Sequence, residues 1–271
     1  MVVLLAARSG WSGAAVSLAA FLTCAATAWT AEITADERIV VEYPPNLSPQ
    51  TARAFAILLA EERRRVRAWW GETFEGDIRV KIQDERRPSM ALVPAWRGER
   101  GVMLMPLARV KGNDAASLHE IVHIYAPNAN RFLAEGLAVY AQEHLKGRRA
   151  HPNAGRDLHE MASDITRAIK LTELDTVPTP RSLGQDAEPV GAYVAGGSFV
   201  RFLIEQHGLE KFRQLYALTP LVPRQHDAGS SRRWSDIYGR SLAELEADWR
   251  RFLDETQAPP AKTSRDRRAR E

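Results

Sequence analysis

The chain has 271 residues, of which 45% are hydrophobic and 26% are charged, the proportions of an ordinary globular protein. This length excludes a small disulfide-stabilised module, and the composition excludes an intrinsically disordered chain. The net charge of +3 comes entirely from residues 257–271, which carry five basic and two acidic side chains. The remainder is neutral overall, so the charge gives no support for nucleic-acid binding.

The N-terminal segment, residues 1–31, resembles an export signal. It contains one charge, Arg8, followed by an apolar stretch from Gly13 to Ala28 that ends in small residues suited to cleavage. We predict a cleaved signal peptide, which would place the mature protein in the periplasm or outside the cell. The alternative is an uncleaved membrane anchor, because residues 11–31 are uncharged and about long enough to span a bilayer. The only cysteine, Cys24, lies in this segment.

Residues 32–110 mix strand and helix patterns. Strands are predicted over residues 38–43, 78–82 and 101–106, the second of them from strict alternation of apolar and polar residues. Between the first two strands, a helix is predicted to begin at Ser48-Pro49 and to end at Gly71. This part is therefore predicted to be a small sheet with at least one helix on it.

Residues 111–256 show helical patterns only. The last helix opens with Ser241 and Glu244, a capping box, and carries an apolar stripe. The predicted fold class is α+β, a small N-terminal sheet with its helix packed on a mainly helical C-terminal part. Residues 257–271 are predicted to form a basic disordered tail, the alternative being contact with an acidic polymer or a membrane surface.

The segment Ser117–Tyr125 contains the pattern HExxH. On a helix, His119 and His123 stand one turn apart on the same face and can bind one metal ion, while Glu120 is placed to act on a metal-activated water. The pair His159-Glu160 is followed by no second histidine at the required spacing, and we interpret it as ordinary helix surface.

A third metal ligand is needed, because catalytic zinc usually has three protein ligands. Glu135 lies among apolar residues of the next predicted helix, where metal coordination would compensate for burying its charge. The alternative is an exposed glutamate near a helix start. A metzincin arrangement is excluded, because Ala126 and Ala129 occupy the positions that would have to be glycine and histidine.

These residues resemble a known family. His119–His123 and the following Phe132–Tyr140 look like the bacterial peptidase MA-like proteins, members of the gluzincin group that includes thermolysin and the aminopeptidases. Weaker similarity in Tyr193–Gly208 and Gly239–Trp249 extends the resemblance over about residues 78–253. The resemblance implies a zinc cleft between the sheet and the helices, in which Zn²⁺ is bound by His119, His123 and Glu135 and Glu120 acts as general base. The gap between the HExxH pattern and the second glutamate is shorter than in thermolysin, so substrate preference does not carry over.

Two further expectations come from this resemblance. Gluzincins commonly place a tyrosine or histidine donor opposite the metal, and Tyr193, just before a predicted helix, is the candidate; the alternative is a core or surface tyrosine. Gluzincins also pair an extended substrate with an edge strand of the cleft. Residues 102–105 are predicted to be that edge strand.

Three functions are consistent with the sequence. The first is an exported zinc metallopeptidase acting on a peptide or protein. The second is a non-catalytic relative that serves as a binding or assembly module of the cell envelope. The third is a structural zinc site closed by a fourth side chain such as His144 or His151.

Overall fold

The computed structural model describes residues 31–84, 88–92, 100–165, 167–175, 189–219 and 230–257. The strands are β1 (Ala31–Ala35), β2 (Ile39–Tyr43), β3 (Ile78–Gln83), β4 (Met90–Leu92) and β5 (Val102–Pro106). The helices are α1 (Pro49–Trp70), α2 (Leu107–Gly112), α3 (Ser117–Tyr125), α4 (Arg131–His144), α5 (Leu158–Ile165), α6 (Leu171–Leu174), α7 (Pro189–His207), α8 (Leu209–Ala217), α9 (Arg232–Tyr238) and α10 (Leu242–Gln257). The predicted α+β class is confirmed. The predicted signal peptide, apart from Ala31, and the basic tail beyond Gln257 lie outside the described residues.

The five strands form one sheet in the order β1-β2-β3-β5-β4. The three inner strands run parallel, and the two outer strands are antiparallel to their neighbours. In β3, Ile78, Val80 and Ile82 are buried while the residues between them are partly exposed, which confirms the predicted alternation. The sheet therefore buries one set of β3 side chains more deeply than the other.

The prediction that residues 102–105 form the edge strand is wrong. Strand β5 lies between β3 and β4, and its Met103 and Met105 are almost fully buried. The edge on this side is β4, whose three residues pair antiparallel with β5. A strand of three residues is too short to show a period-two pattern, so β4, which pairs with the outer side of β5, could not be predicted from the sequence.

Helix α1 has the limits that the sequence predicts. The Ser48 side chain accepts a hydrogen bond from the backbone N–H of Thr51, and Pro49 occupies the first turn. Gly71 follows the last residue with a φ of 103°, a conformation that favours glycine. The buried face of α1, which includes Phe55, contacts the sheet and helix α3.

Helix α3, which carries the HExxH pattern, is fixed at its C-terminal end by side chains from the sheet half of the chain. Arg100 donates from Nε to the carbonyl of Ile124 at 2.7 Å, and the Thr73 hydroxyl donates to the carbonyl of Tyr125. Arg63, buried on α1, donates from Nε to the Tyr125 hydroxyl at 2.9 Å. These bonds satisfy carbonyls that a helix end otherwise leaves without partners, and they hold α3 against the sheet.

The backbones of helices α4 and α7 approach each other closely at Gly136 and Gly196. A Cβ at Gly136 would lie 2.6 Å from the carbonyl oxygen of Gly196, so only glycine fits at position 136 without displacing α7. Because Glu135 and Tyr193 lie close to these two glycines in the chain, this contact also sets the distance between the two side chains.

The interpretation of His159 as surface is wrong. The side chain is buried, and its Nδ1 lies 2.8 Å from Oγ of Ser198, which also accepts a hydrogen bond from Nε1 of Trp249. Glu205 lies 3.6 Å from the other ring nitrogen. The arrangement resembles a hydrolytic triad, but Ser198 is fully buried inside α7 and no substrate can reach it, so we assign it to the core.

Glu62 is a buried carboxylate on the face of α1 that meets the start of α3. It is 0% exposed, and neither side-chain oxygen has a hydrogen-bond partner among the described residues. Burial raises the pKa of Glu62 to about 7, only partly opposed by the Ser117 hydroxyl and by Arg148 and Arg65. The folded protein therefore favours the protonated carboxyl.

We predict that Glu62→Gln removes a pH-dependent loss of stability. Because the pKa is higher in the folded protein than in the unfolded chain, the stabilising contribution of Glu62 is complete below about pH 4.3 and is lost as the pH rises through about 7. From pH 5 to pH 8 the wild type should lose up to about 3 kcal/mol in the free energy of unfolding, a loss that the variant does not share. Urea unfolding at pH 5 and pH 8 measures this difference.

Glu61→Gln is the matched control, since Glu61 is the exposed neighbour and forms only a surface ion pair with Arg65. A surface pair of this kind contributes about 0–1 kcal/mol, so this variant should keep the pH dependence of the wild type. Equal pH dependence in Glu62→Gln and the wild type would contradict the prediction.

Candidate metal centre

Two helices bring three ligand atoms together. His119 and His123 lie one turn apart on α3, the short loop 126–130 reverses the chain, and the first turns of α4 present Glu135. Nε2 of His119 and Nε2 of His123 lie 3.1 Å apart, and Oε2 of Glu135 lies 3.1 Å and 3.2 Å from them. His119 is 8% exposed and Glu135 is 7% exposed, so the cluster is largely shielded from solvent.

The loop between the two helices is held by the helical half of the chain. The side chain of Asn128 donates to the carbonyl of Tyr216 and to the Thr219 hydroxyl, both at 2.9 Å. The Tyr216 hydroxyl donates to the carbonyl of Ala126 at 2.7 Å. Asn130 caps α4 by accepting from the backbone N–H of Leu133 at 3.1 Å. Because both ends of the loop are bonded, the three ligand atoms keep a fixed spacing.

This spacing fits a zinc ion. Ligands at about 2.0–2.1 Å from a tetrahedral ion lie roughly 3.3 Å from one another, close to the three observed separations. Two imidazole nitrogens and one carboxylate oxygen are also a donor set that zinc binds in catalytic sites. Among the described residues, His119, His123 and Glu135 are the one group of three or more potential ligands with such spacing. Three protein donors leave one position of a tetrahedral site for water or substrate.

The charge of Glu135 is stabilised within the cluster. Burial favours the protonated carboxyl, but the neighbouring His123 and His119 outweigh it and hold the pKa of Glu135 well below its ordinary value. The other oxygen, Oε1, accepts a hydrogen bond from Nη2 of Arg131 at 2.7 Å. The carboxylate is thus ionised and ready to coordinate a cation.

Glu120 lies beside the ligands on α3. It is 5% exposed, and its Oε2 accepts a hydrogen bond from the backbone N–H of Ala91 at 2.7 Å. Burial, with a smaller contribution from Glu135, raises the pKa of Glu120 to about 7 against the opposing effects of His119 and the Ala91 hydrogen bond. A carboxyl with such a pKa can take up and release a proton near neutral pH.

The contact with Ala91 also places the edge of the sheet at the site. Ala91 is the central residue of β4, paired in register with Met103 of β5. Its N–H bonds to Glu120 and therefore points away from β5, toward the free edge of the sheet. The strand that borders the site is β4, where the sequence had predicted β5.

Tyr193 lies next to the ligands, inside the second turn of α7. The sequence placed it just before a helix, but that helix already begins at Pro189. The centre of its ring is 6.4 Å from that of His119 and 5.5 Å from that of His151. Burial raises its pKa above the ordinary value, and Glu135 raises it further, so the hydroxyl is protonated and available as a donor.

The other candidate ligands lie outside the cluster. Glu143 bonds to Arg201 and to the backbone N–H of Leu158. His144 is exposed and lies against the rings of Tyr140 and Trp69. Neither His144 nor His151 is grouped with the three ligands, so no fourth protein ligand closes the site within the described part of the chain.

Two partners in this site were missed by the sequence analysis. The hydrogen bond from Arg131 to Glu135 joins residues four apart on a helix, and such pairs are ordinary on exposed helix surfaces. The bond from Ala91 to Glu120 uses a backbone N–H, which no side-chain pattern reveals. The arginine could have been found by asking which residues lie one turn before the proposed third ligand.

No membrane-spanning candidate occurs among the helices of the described residues, since none combines the length and the apolar character needed.

Comparison with known proteins yields structural similarity only. No protein-family model matches the chain, and no curated protein matches it. The structure is similar to a crystal structure of the M1 zinc metallopeptidase from Deinococcus radiodurans, with a TM-score of 0.45 and 20% identity over 85% of this chain and 52% of that one. A mutant of the same enzyme bound to a Tyr-Ser-Ala substrate gives a TM-score of 0.45 and 19% identity, over 86% of this chain and 53% of that one. The chain thus spans about half the length of these neighbours, which are zinc metallopeptidases.

Proposed function

We propose that the protein is a zinc-dependent metallopeptidase, exported to the periplasm or secreted. The observation that carries this proposal is the convergence of His119, His123 and Glu135 within 3.2 Å of one another, with the buried carboxyl of Glu120 beside them. Export rests on the N-terminal sequence alone, and peptide or protein substrates rest on the resemblance to gluzincins.

His119, His123 and Glu135 would hold the zinc ion, which would supply Lewis acidity toward the scissile carbonyl and lower the pKa of a water. Glu120 takes a proton from the attacking water, which its raised pKa favours near neutral pH. The same carboxyl then returns a proton to the leaving amine. Tyr193 donates from its hydroxyl to the oxygen that gains negative charge during attack.

The second candidate is a non-catalytic peptidase-like module for binding or assembly in the cell envelope. The buried Glu120 disfavours it, because a purely structural metal site needs no ionisable carboxyl beside it and pays a desolvation cost for keeping one. Only a metallopeptidase cleaves peptides, so incubating a peptide library with the purified protein and analysing it by mass spectrometry distinguishes the two functions.

The mature protein should bind one zinc ion. Zinc binding should weaken in each of three variants, His119→Ala, His123→Ala and Glu135→Ala, because the two protein ligands that remain are too few for tight coordination. Elemental analysis and chelator competition measure the loss. His144→Ala is the control: this histidine lies outside the cluster, and its removal should leave zinc content unchanged. Absence of zinc from wild-type protein expressed with ample zinc would contradict the proposed function.

Glu120→Gln should keep the zinc and the fold but lose turnover by about 10²- to 10⁴-fold, since the amide cannot accept a proton from water near neutral pH. Peptide hydrolysis assays together with zinc analysis test this prediction. Glu160→Gln serves as the control, because Glu160 also follows a histidine on a helix but is exposed. Wild-type turnover in Glu120→Gln would remove Glu120 from the role of general base.

Tyr193→Phe keeps the ring and removes only the hydroxyl, so it should lower kcat by about 10²- to 10³-fold with little change in zinc content or melting temperature. Tyr238→Phe, which alters a buried hydroxyl on α9, should leave kcat unchanged. A normal kcat in Tyr193→Phe would make Tyr193 a packing residue.

A further inference from the structure

The two carboxylate oxygens of Glu135 have different partners. Oε2 lies within 3.2 Å of Nε2 of both His119 and His123, whereas Oε1 accepts the hydrogen bond from Nη2 of Arg131 at 2.7 Å. The carboxylate therefore offers one oxygen to the ligand cluster and has the other already occupied.

The different partners of the two Glu135 oxygens determine how this carboxylate can coordinate a metal ion. A carboxylate that binds zinc through one oxygen gives the site three protein donors, together with the two imidazoles, and leaves a fourth position open. If Glu135 rotated so that both oxygens faced the ion, the protein would supply four donor atoms, and a structural zinc site is closed by four. The orientation of Glu135 thus separates a reactive site from a closed one.

Arg131 is suited to fix this orientation. It lies four residues before Glu135 on α4, whose N-terminal turn is capped by Asn130, so its backbone position is set. The guanidinium also acts on Tyr193, where its charge and a side-chain hydrogen bond oppose the burial that raises the pKa of that hydroxyl. Its Nε atom is buried and has no hydrogen-bond partner among the described residues.

We propose that Arg131 is a positioning residue that holds Glu135 in a one-oxygen orientation and so keeps the fourth coordination position open. The inference rests on the proposed zinc site and adds a named residue that controls its coordination number. Hydrogen bonds of this kind to metal-ligating carboxylates typically change metal affinity by about 10- to 100-fold when they are removed.

The test uses the full mature chain freed of metal and three variants. Arg131→Met removes the donor at nearly constant length, and Arg131→Lys keeps the positive charge and a donor within reach of Glu135. The control, Arg251→Gln, removes one positive charge from an exposed pair with Asp248 on α10. Zinc affinity is measured by chelator competition, and coordination number is read from the visible absorption of the Co²⁺-substituted protein, which weakens as ligands are added.

Arg131→Met is expected to bind zinc about 10- to 100-fold more weakly and to give a weaker Co²⁺ absorption, and Arg131→Lys should recover most of the affinity. Arg251→Gln should match the wild type in both measurements.

Wild-type affinity and an unchanged Co²⁺ spectrum in Arg131→Met would overturn the inference while leaving the zinc site intact. A lower melting temperature of metal-free Arg131→Met with an unchanged spectrum would also overturn it, because that result describes a structural ion pair. A wild-type protein that binds no zinc would instead overturn the proposed function, and the inference with it.

Discussion

The ionised carboxylate of Glu135, buried beside two imidazoles, is the interaction on which the rest of the site depends. A buried charge without partners would favour protonation, and here His123 and His119 outweigh that tendency, while Arg131 donates a hydrogen bond to the other oxygen. The contacts with the two histidines would not exist if α3 and α4 were free to separate. Much of the surrounding structure can therefore be understood as what keeps these two helices together.

Two sets of contacts keep α3 and α4 together, one from the sheet and one from the other helices. On the side of the sheet, Arg100 and Thr73 bond to the last carbonyls of α3, and Arg63 bonds to the Tyr125 side chain. On the helical side, the close contact of Gly136 with Gly196 packs α4 against α7. The ligands thus lie where the sheet half and the helical half of the chain meet, and the hydrogen bond from Ala91 to Glu120 reaches the same place from the sheet edge.

The sequence was sufficient where a local pattern decides the structure. Pro49 and Gly71 delimit α1, Ser241 and Glu244 form the capping box, and the apolar surroundings of Glu135 indicated its burial. The sequence was not sufficient where contacts with other elements of the fold decide the structure. The placement of β5 as an inner strand depends on pairing with β4, whose three residues have no recognisable pattern.

The same limit applies to single side chains. His159 is buried because Ser198 and Trp249 complete its surroundings from helices far along the chain. The pair of Arg131 with Glu135 has the spacing of an ordinary surface ion pair, and only the position of α3 shows that it belongs to the site.

The anchored loop 126–130 has a consequence for motion. The two helices that carry the ligands share a connection whose Asn128 and Ala126 are bonded to Tyr216, near the end of α8. A rotation of α3 against α4 would break these bonds and change the spacing of the three ligand atoms. The hydrogen bond from Ala91 to Glu120 comes from the sheet edge instead, so a displacement of β4 alone would break that bond and leave the three ligand atoms in place.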